Sequence, residues 1–141
     1  MAPETAGYSG TPLPRKLGIK DGHRVLLAGA AADFDLGDLP ALDLHGVDVQ
    51  RRASGAPYDV IVGFTPDRRA LDRRFPVLAG RLVTNGGLWI AWPKRSSGVP
   101  TDLDENVVRE VCLAAGLVDN KVCAIDATWS GLRFVVRLRD R

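Results

Sequence analysis

Three short apolar runs each end in a loop whose residues could bind a ligand. The runs cover residues 25–28, 59–64 and 88–92. Continuous apolar runs of this length, bounded by turn residues, indicate strands that are buried on both faces. Ligands of open α/β sheets bind outside the carboxyl ends of the strands. We therefore predict one ligand site built from the strand ends, with the candidate residues Gly29, Ala30, Phe64, Thr65, Trp92 and Lys94.

Lys94 provides the charge in this predicted site. It is the one cation that stands at a strand end beside an aromatic residue, Trp92. An ammonium group there could pair with a phosphate or a carboxylate of a ligand. The alternative is a solvated lysine that is followed by Arg95 and binds nothing. The first interpretation predicts a small anionic ligand.

Common catalytic and metal-binding motifs do not occur in the sequence. No histidine or cysteine spacing matches a zinc site, and there is neither a nucleophile elbow nor a Walker loop. Cys112 and Cys123 stand among apolar neighbours, which is typical of buried thiols in a reducing compartment. We therefore predict no catalytic residue and no metal.

The segments between the strands carry helix and turn signals. Thr65 precedes a proline and an acid, which predicts a helix with Thr65 as its N-cap. Pro76 predicts that this helix is kinked or split. Residues 85–87, Asn-Gly-Gly, predict a turn. A second helix is expected to start within residues 102–105, with Asp102 as its N-cap and Glu105 three residues later at the capping-box spacing, and to stop at Gly116.

The last part of the chain predicts a β-hairpin. Strands are expected over residues 121–126 and 132–138, with a turn over 128–131. Alternating strands and helices indicate an α/β fold, here a three-layer Rossmann-like sheet that is mostly parallel and ends in an antiparallel hairpin. The 141 residues fit one domain. We place an irregular N-terminal arm over 1–23 and the single domain over 24–141.

Charge is nearly balanced overall but is separated along the chain. The 19 basic and 17 acidic residues give +2, too little to indicate nucleic-acid binding. Residues 33–48 are acidic, whereas 51–81 are rich in arginine without the interleaved aromatics of single-strand binders. The two segments could pair with each other or across a homodimer. A candidate partner surface consists of Tyr8, Trp129, Arg68 and Arg69.

No targeting segment is visible in the sequence. The first ten residues, MAPETAGYSG, lack the basic and apolar regions of a signal peptide. No apolar run approaches the roughly 18 residues of a membrane span. We expect a cytoplasmic protein without membrane contacts.

Four stretches resemble an uncharacterised bacterial family of small proteins, a domain of unknown function. They are GYSGTPLPRKLGIK (7–20), RRFPVLAGRL (73–82), LWIAWPK (88–94) and GLVDNKVCAIDATWSGLRFV (116–135). Together they span 51 of the 141 residues, about a third of the chain. This resemblance implies membership of a family without an established activity, so it assigns no reaction.

The order of strands and helices also resembles the second half of the class I S-adenosylmethionine-dependent methyltransferase fold. That resemblance implies a glycine-rich cofactor loop after the first strand and an acid at the ribose after the second. Here Gly29 is followed by three alanines, and Arg51 and Arg52 follow the second strand. Alanine methyl groups would hold the backbone away from a nucleoside.

We therefore favour a non-catalytic module that binds a small anionic molecule or a protein partner and needs no cofactor. The first alternative is a minimal S-adenosylmethionine-dependent methyltransferase, in which Gly29 approaches the cofactor and Asp33 or Asp48 serves the ribose. The second alternative is a nucleic-acid or regulatory interaction protein that uses the arginine-rich segment.

Overall fold

The computed structural model describes residues 10–141, which form one six-stranded sheet with helices packed against it. The strands are β1 (Arg24–Ala28), β2 (Asp48–Gln50), β3 (Tyr58–Phe64), β4 (Leu82–Pro93), β5 (Leu117–Ala124) and β6 (Trp129–Val136). Their order across the sheet is β2-β1-β3-β4-β6-β5. The first four strands are parallel, and β6 runs antiparallel to both β4 and β5. The predicted α/β fold, with its parallel sheet and C-terminal hairpin, is confirmed.

The two faces of the sheet are covered in different ways. The helices are α1 (Leu13–Lys16), α2 (Arg68–Ala79) and α3 (Glu105–Ala114). Helices α2 and α3 pack on one face, through side chains such as Phe75 and Cys112. The other face is covered by α1, the segment after it and the long β1–β2 connection, with Leu17 and Ile19 buried. The second outer layer is therefore mostly irregular chain.

Helix α2 differs in two details from its prediction. Asp67, not Thr65, is the N-cap, because the Asp67 side chain accepts a hydrogen bond from the Ala70 N–H at 2.8 Å. Thr65 is fully buried and donates its hydroxyl to the Ala91 carbonyl at 2.8 Å. The predicted split at Pro76 is also wrong, since α2 runs through that residue to Ala79. Pro76 lacks one backbone N–H donor, but it stands only three residues before the end of α2, so the loss affects no more than the last turn.

The predicted turn at residues 85–87 lies inside β4, and Gly87 pairs with Val60 across to β3. The glycines serve close packing instead, because a Cβ on Gly86 would lie 2.7 Å from the Asp59 carbonyl oxygen. The hairpin turn is likewise shifted, since β6 already begins at Trp129. Trp129 is thus a strand residue whose side-chain direction is set by the sheet.

The pH dependence of stability is expected to report on Cys112. This residue is fully buried in α3, and burial raises the pKa of its thiol from 9.0 to about 12. The unfolded chain therefore loses this proton first as the pH rises. Stability from this group is complete below pH 9.0 and is lost progressively towards pH 12.

Urea unfolding at pH 8 and at pH 10.5 measures this loss. Within the affected range the folding equilibrium constant should fall by up to about tenfold per pH unit. Cys112→Ala should flatten this slope more than Cys123→Ala does, because burial also raises the pKa of the partly exposed Cys123 thiol. Val77→Ala, at an exposed position without a titrating side chain, is the control and should leave the slope unchanged. A slope that Cys112→Ala leaves unchanged would contradict the prediction.

Candidate functional site

The carboxyl ends of β1, β3 and β4 lie side by side, as the pairing of Ala28 with Gly63 and of Phe64 with Ala91 shows. Neighbouring side chains in a strand point to opposite faces of a sheet. Phe64 is in register with Ala91, and both face the side of α1. Trp92, the residue after Ala91, therefore packs on the opposite side, with α3. The predicted single site is divided by the sheet into two cavities.

The first cavity, here called the aromatic cavity, has a volume of about 450 Å³. The Phe64 ring makes edge-on contacts with the rings of Phe34 and Trp129, both at 5.1 Å between centroids. Ala31, from the loop after β1, contributes to the wall. The remaining lining residues are Leu13, Asp33, Asp35, Ile125, Asp126 and Thr128.

The three carboxylates of the aromatic cavity differ in their hydrogen-bond partners. Asp126 accepts hydrogen bonds from the N–H groups of Thr128 and Trp129, each at 2.8 Å, and so shapes the hairpin turn. Asp35 accepts from the Gly37 N–H at 2.7 Å. Asp33 is exposed at the rim. Three acids beside aromatic faces favour a ligand that combines positive charge with an apolar body.

Two arginines hold the loops around this cavity. Arg51, after β2, donates to the carbonyls of Ala31, at 3.2 Å, and Phe34. Arg74, on α2, donates to the Phe64 carbonyl and lies over Gly29, where a Cβ would be 2.6 Å from its Nη1. Gly29 also has φ +76°, which favours glycine. Its close approach therefore serves Arg74 and not a ligand.

The second cavity, here called the helix-side cavity, has a volume of about 600 Å³ and includes Trp92, Lys94 and Ser130. Acids from the start of α3 share it with Lys94. Asp102 accepts from the Arg68 N–H at 2.8 Å, and Asp104 caps α3 by accepting from the Val107 N–H at 2.9 Å. An anion beside Lys94 would therefore lie close to carboxylates, although both have backbone partners.

Thr65, Ala30 and Asp48 are also predicted site residues, and none of them lines either cavity. Thr65 is buried with its hydroxyl bonded, so it supports the end of β3 and is closed to a ligand. Ala30 is partly buried against the core on the α1 side. Asp48 is wrong as a ribose ligand. It lies at the amino end of β2, away from the loops at the carboxyl ends of the strands, and it pairs with Arg24 at 3.0 Å.

Of the candidate partner surface, the three residues that the structure describes do not form one surface. Trp129 packs on the α1 side of the sheet, whereas Arg68 and Arg69 belong to α2 on the other side. Arg68 is also paired with Asp72 at 3.1 Å. Tyr8 lies outside the described residues. Within residues 10–141, no helix is both long and apolar enough to cross a membrane.

Sequence reasoning missed Phe34, Asp35, Arg51 and Arg74 as parts of this edge. Phe34 stands in an alternating run of acids and apolar residues, and an aromatic residue in such a run is the one feature that could have indicated a binding surface. Arg51 and Arg74 both belong to the arginine-rich segment 51–81. Nothing in their spacing indicates that they bond to carbonyls of other loops.

No family model and no curated protein matches the chain. The resemblance to an uncharacterised bacterial family therefore has no support from family models. Solved structures with a similar fold include a SAM-dependent methyltransferase from Aquifex aeolicus, with 18% identity, a TM-score of 0.55 and coverage of 87% of each chain. The N-methyltransferase NodS from Bradyrhizobium japonicum WM9 has 15% identity and a TM-score of 0.52, over 86% of this chain and 90% of its own. These similarities establish a methyltransferase-like fold.

Proposed function

We propose that the protein is a small S-adenosylmethionine-dependent methyltransferase that holds this cofactor in the aromatic cavity. The carrying observation is the cavity of about 450 Å³ beside Ala31, in the loop after β1. The sequence predicts that the alanines of this loop exclude a nucleoside, yet Ala31 borders a space of ligand size. The methyltransferase-like fold supports the same choice over the non-catalytic module.

The chemistry of the lining residues fits the proposed cofactor. S-adenosylmethionine combines an aromatic base with a cationic sulfonium, and it would supply a methyl group to a nucleophile of a second molecule. Phe34, Phe64 and Trp129 offer ring faces and edges for stacking. A cation against such a ring gains about 0.5–2 kcal/mol. The nearby carboxylates add favourable charge.

Each part of the site then has a defined task. Asp33, exposed at the rim, would accept hydrogen bonds from ribose hydroxyls. Trp129 would exclude water from one side of the cavity. Arg51 and Arg74 would keep the loops in place through their bonds to backbone carbonyls. The acceptor substrate is not specified by these contacts.

One observation favours the non-catalytic module as a second candidate. The space above Gly29, which a cofactor would approach in a glycine-rich loop, is taken by the Arg74 guanidinium. Under this hypothesis the cavity takes another ligand and S-adenosylmethionine does not bind. The two candidates are therefore separated by one binding measurement.

Isothermal titration with S-adenosylmethionine tests the proposal. We expect micromolar binding to the full chain, and about tenfold weaker binding to Asp33→Asn, since a bond to a charged acceptor contributes about 1.5–3 kcal/mol. Asp72→Asn, an exposed acid on α2, is the matched control and should bind as wild type. Absence of binding at millimolar cofactor would reject the methyltransferase. Equal losses in both variants would reject Asp33 as the ribose ligand.

A further inference from the structure

A third cavity lies near the amino ends of β1 and β3, at the end of the sheet opposite to the two cavities described above. Its volume is about 500 Å³. It shares no lining residue with the aromatic cavity or the helix-side cavity. Its lining residues are Gly18, Lys20, His23, Asp59, Val60, Val83, Thr84, Asn85, Gly86 and Arg133.

Arg133 reaches this cavity across a strand that has no side chain in its way. It lies on β6 opposite Trp89, and its guanidinium occupies the space that a side chain at Gly87 of β4 would fill. A Cβ on Gly87 would be 2.4 Å from the Arg133 Nε and 2.7 Å from an Nη. Glycine at position 87 is thus the condition for placing a guanidinium here.

The charge of Arg133 is poorly compensated by its surroundings. Within residues 10–141, it makes no ion pair, and its hydrogen bond goes to the neutral Asn120 Oδ1 at 3.3 Å. Burial lowers the pKa of Arg133, and the positive charge of Arg141 lowers it further. Partly buried charges are normally paired, because desolvation is costly. This guanidinium has room for an anionic partner.

The rim of the cavity adds further donors. The Lys20 N–H donates to Nδ1 of His23 at 3.1 Å, which leaves the Nε2 of a neutral ring as its N–H donor. Thr84 and Asn85 contribute a hydroxyl and an amide. The acid of the cavity is Asp59, whose Oδ2 accepts from the Arg24 N–H at 2.8 Å and so joins β1 to β3.

We propose that this cavity binds an oxyanion, the phosphate or carboxylate group of a small metabolite, with Arg133 as its main partner. The planar guanidinium suits two parallel hydrogen bonds to such a group. Lys20 and His23 close the site from the rim. The site lies near the amino ends of β1 and β3, whereas the aromatic cavity lies near their carboxyl ends, and the proposal holds whether or not S-adenosylmethionine binds in the aromatic cavity.

Thermal unfolding of the full chain with inorganic phosphate, at constant ionic strength against chloride, tests the site. Phosphate should raise the Tm of wild type, because a ligand of the native state stabilises it by mass action. Arg133→Met should abolish this increase, and its own Tm without phosphate should equal or exceed that of wild type. Arg68→Met, on α2, is the matched control and should keep the wild-type response.

Lys20→Gln provides a second variant at an exposed position, and it should weaken phosphate binding severalfold. Succinate in place of phosphate distinguishes a carboxylate site from a phosphate site, since the better ligand gives the larger increase at equal concentration. Equal phosphate responses in wild type, Arg133→Met and Lys20→Gln would overturn the proposal. So would the absence of any response of wild type to either anion.

Discussion

Replacing Trp89 by alanine is expected to lower the free energy of unfolding by about 3–5 kcal/mol. Trp89 is fully buried in β4, between Val62 of β3 and Arg133 of β6. Its indole N–H donates to the Leu17 carbonyl at 3.1 Å and thereby fastens the segment after α1 to the sheet. The substitution removes a large core side chain and this bond together. Urea denaturation of both proteins measures the difference.

Trp89→Phe separates packing from hydrogen bonding in this prediction. It keeps an aromatic ring but leaves the Leu17 carbonyl without the indole donor, which should cost about 1–3 kcal/mol. Val77→Ala, at an exposed position of α2, is the surface control and should change stability by less than about 0.5 kcal/mol. A Trp89→Ala variant as stable as Val77→Ala would show that β4 is not the centre of the core.

Replacing Trp129 by alanine is expected to weaken S-adenosylmethionine binding at least tenfold, or by about 1.4 kcal/mol. The Trp129 ring packs edge-on against Phe64 and forms one wall of the aromatic cavity. Its removal takes away a stacking face and opens that wall to water. Isothermal titration measures the affinity, and the change in tryptophan fluorescence on binding provides a second readout.

Trp129→Phe is the conservative variant and should retain most of the affinity, because it keeps an aromatic face. Asp126 still shapes the turn in both variants through the N–H groups of residues 128 and 129. Lys94→Ala, in the helix-side cavity, should bind as wild type. Wild-type affinity in Trp129→Ala, or an equal loss in Lys94→Ala, would place the ligand outside the aromatic cavity.

Local patterns of sequence were enough to predict most of the fold. The runs around Val25 and Ile61 are apolar over their full length, and both are central parallel strands with buried side chains. Gly116 follows the end of α3 with φ +95°, as expected of a glycine that stops a helix. An acid caps the start of α3 as expected, but it is Asp104 and not the predicted Asp102. These features depend on neighbours in the chain, so a single sequence contains the information.

The errors arose where local signals competed with contacts from other strands. Residues 85–87 have the composition of a turn, but pairing with β3 and close packing on Asp59 keep them in β4. Thr65 precedes a proline as an N-cap would, yet Ala91 of the neighbouring strand takes its hydroxyl. In both cases, hydrogen bonds to a distant segment outweighed a local preference.

The sequence by itself determined the class of fold, the strand ends at which a site should lie, and the candidates Phe64, Trp92 and Lys94 at that edge. The tertiary structure decided that Phe64 and Trp92 belong to different cavities. Phe64 is in register with Ala91, and the next residue along β4, Trp92, points to the opposite face of the sheet. The tertiary structure also decided what the arginines do. Arg74 reaches Gly29 and Arg133 reaches Gly87 from far along the chain, and such pairings exist only once the sheet has formed.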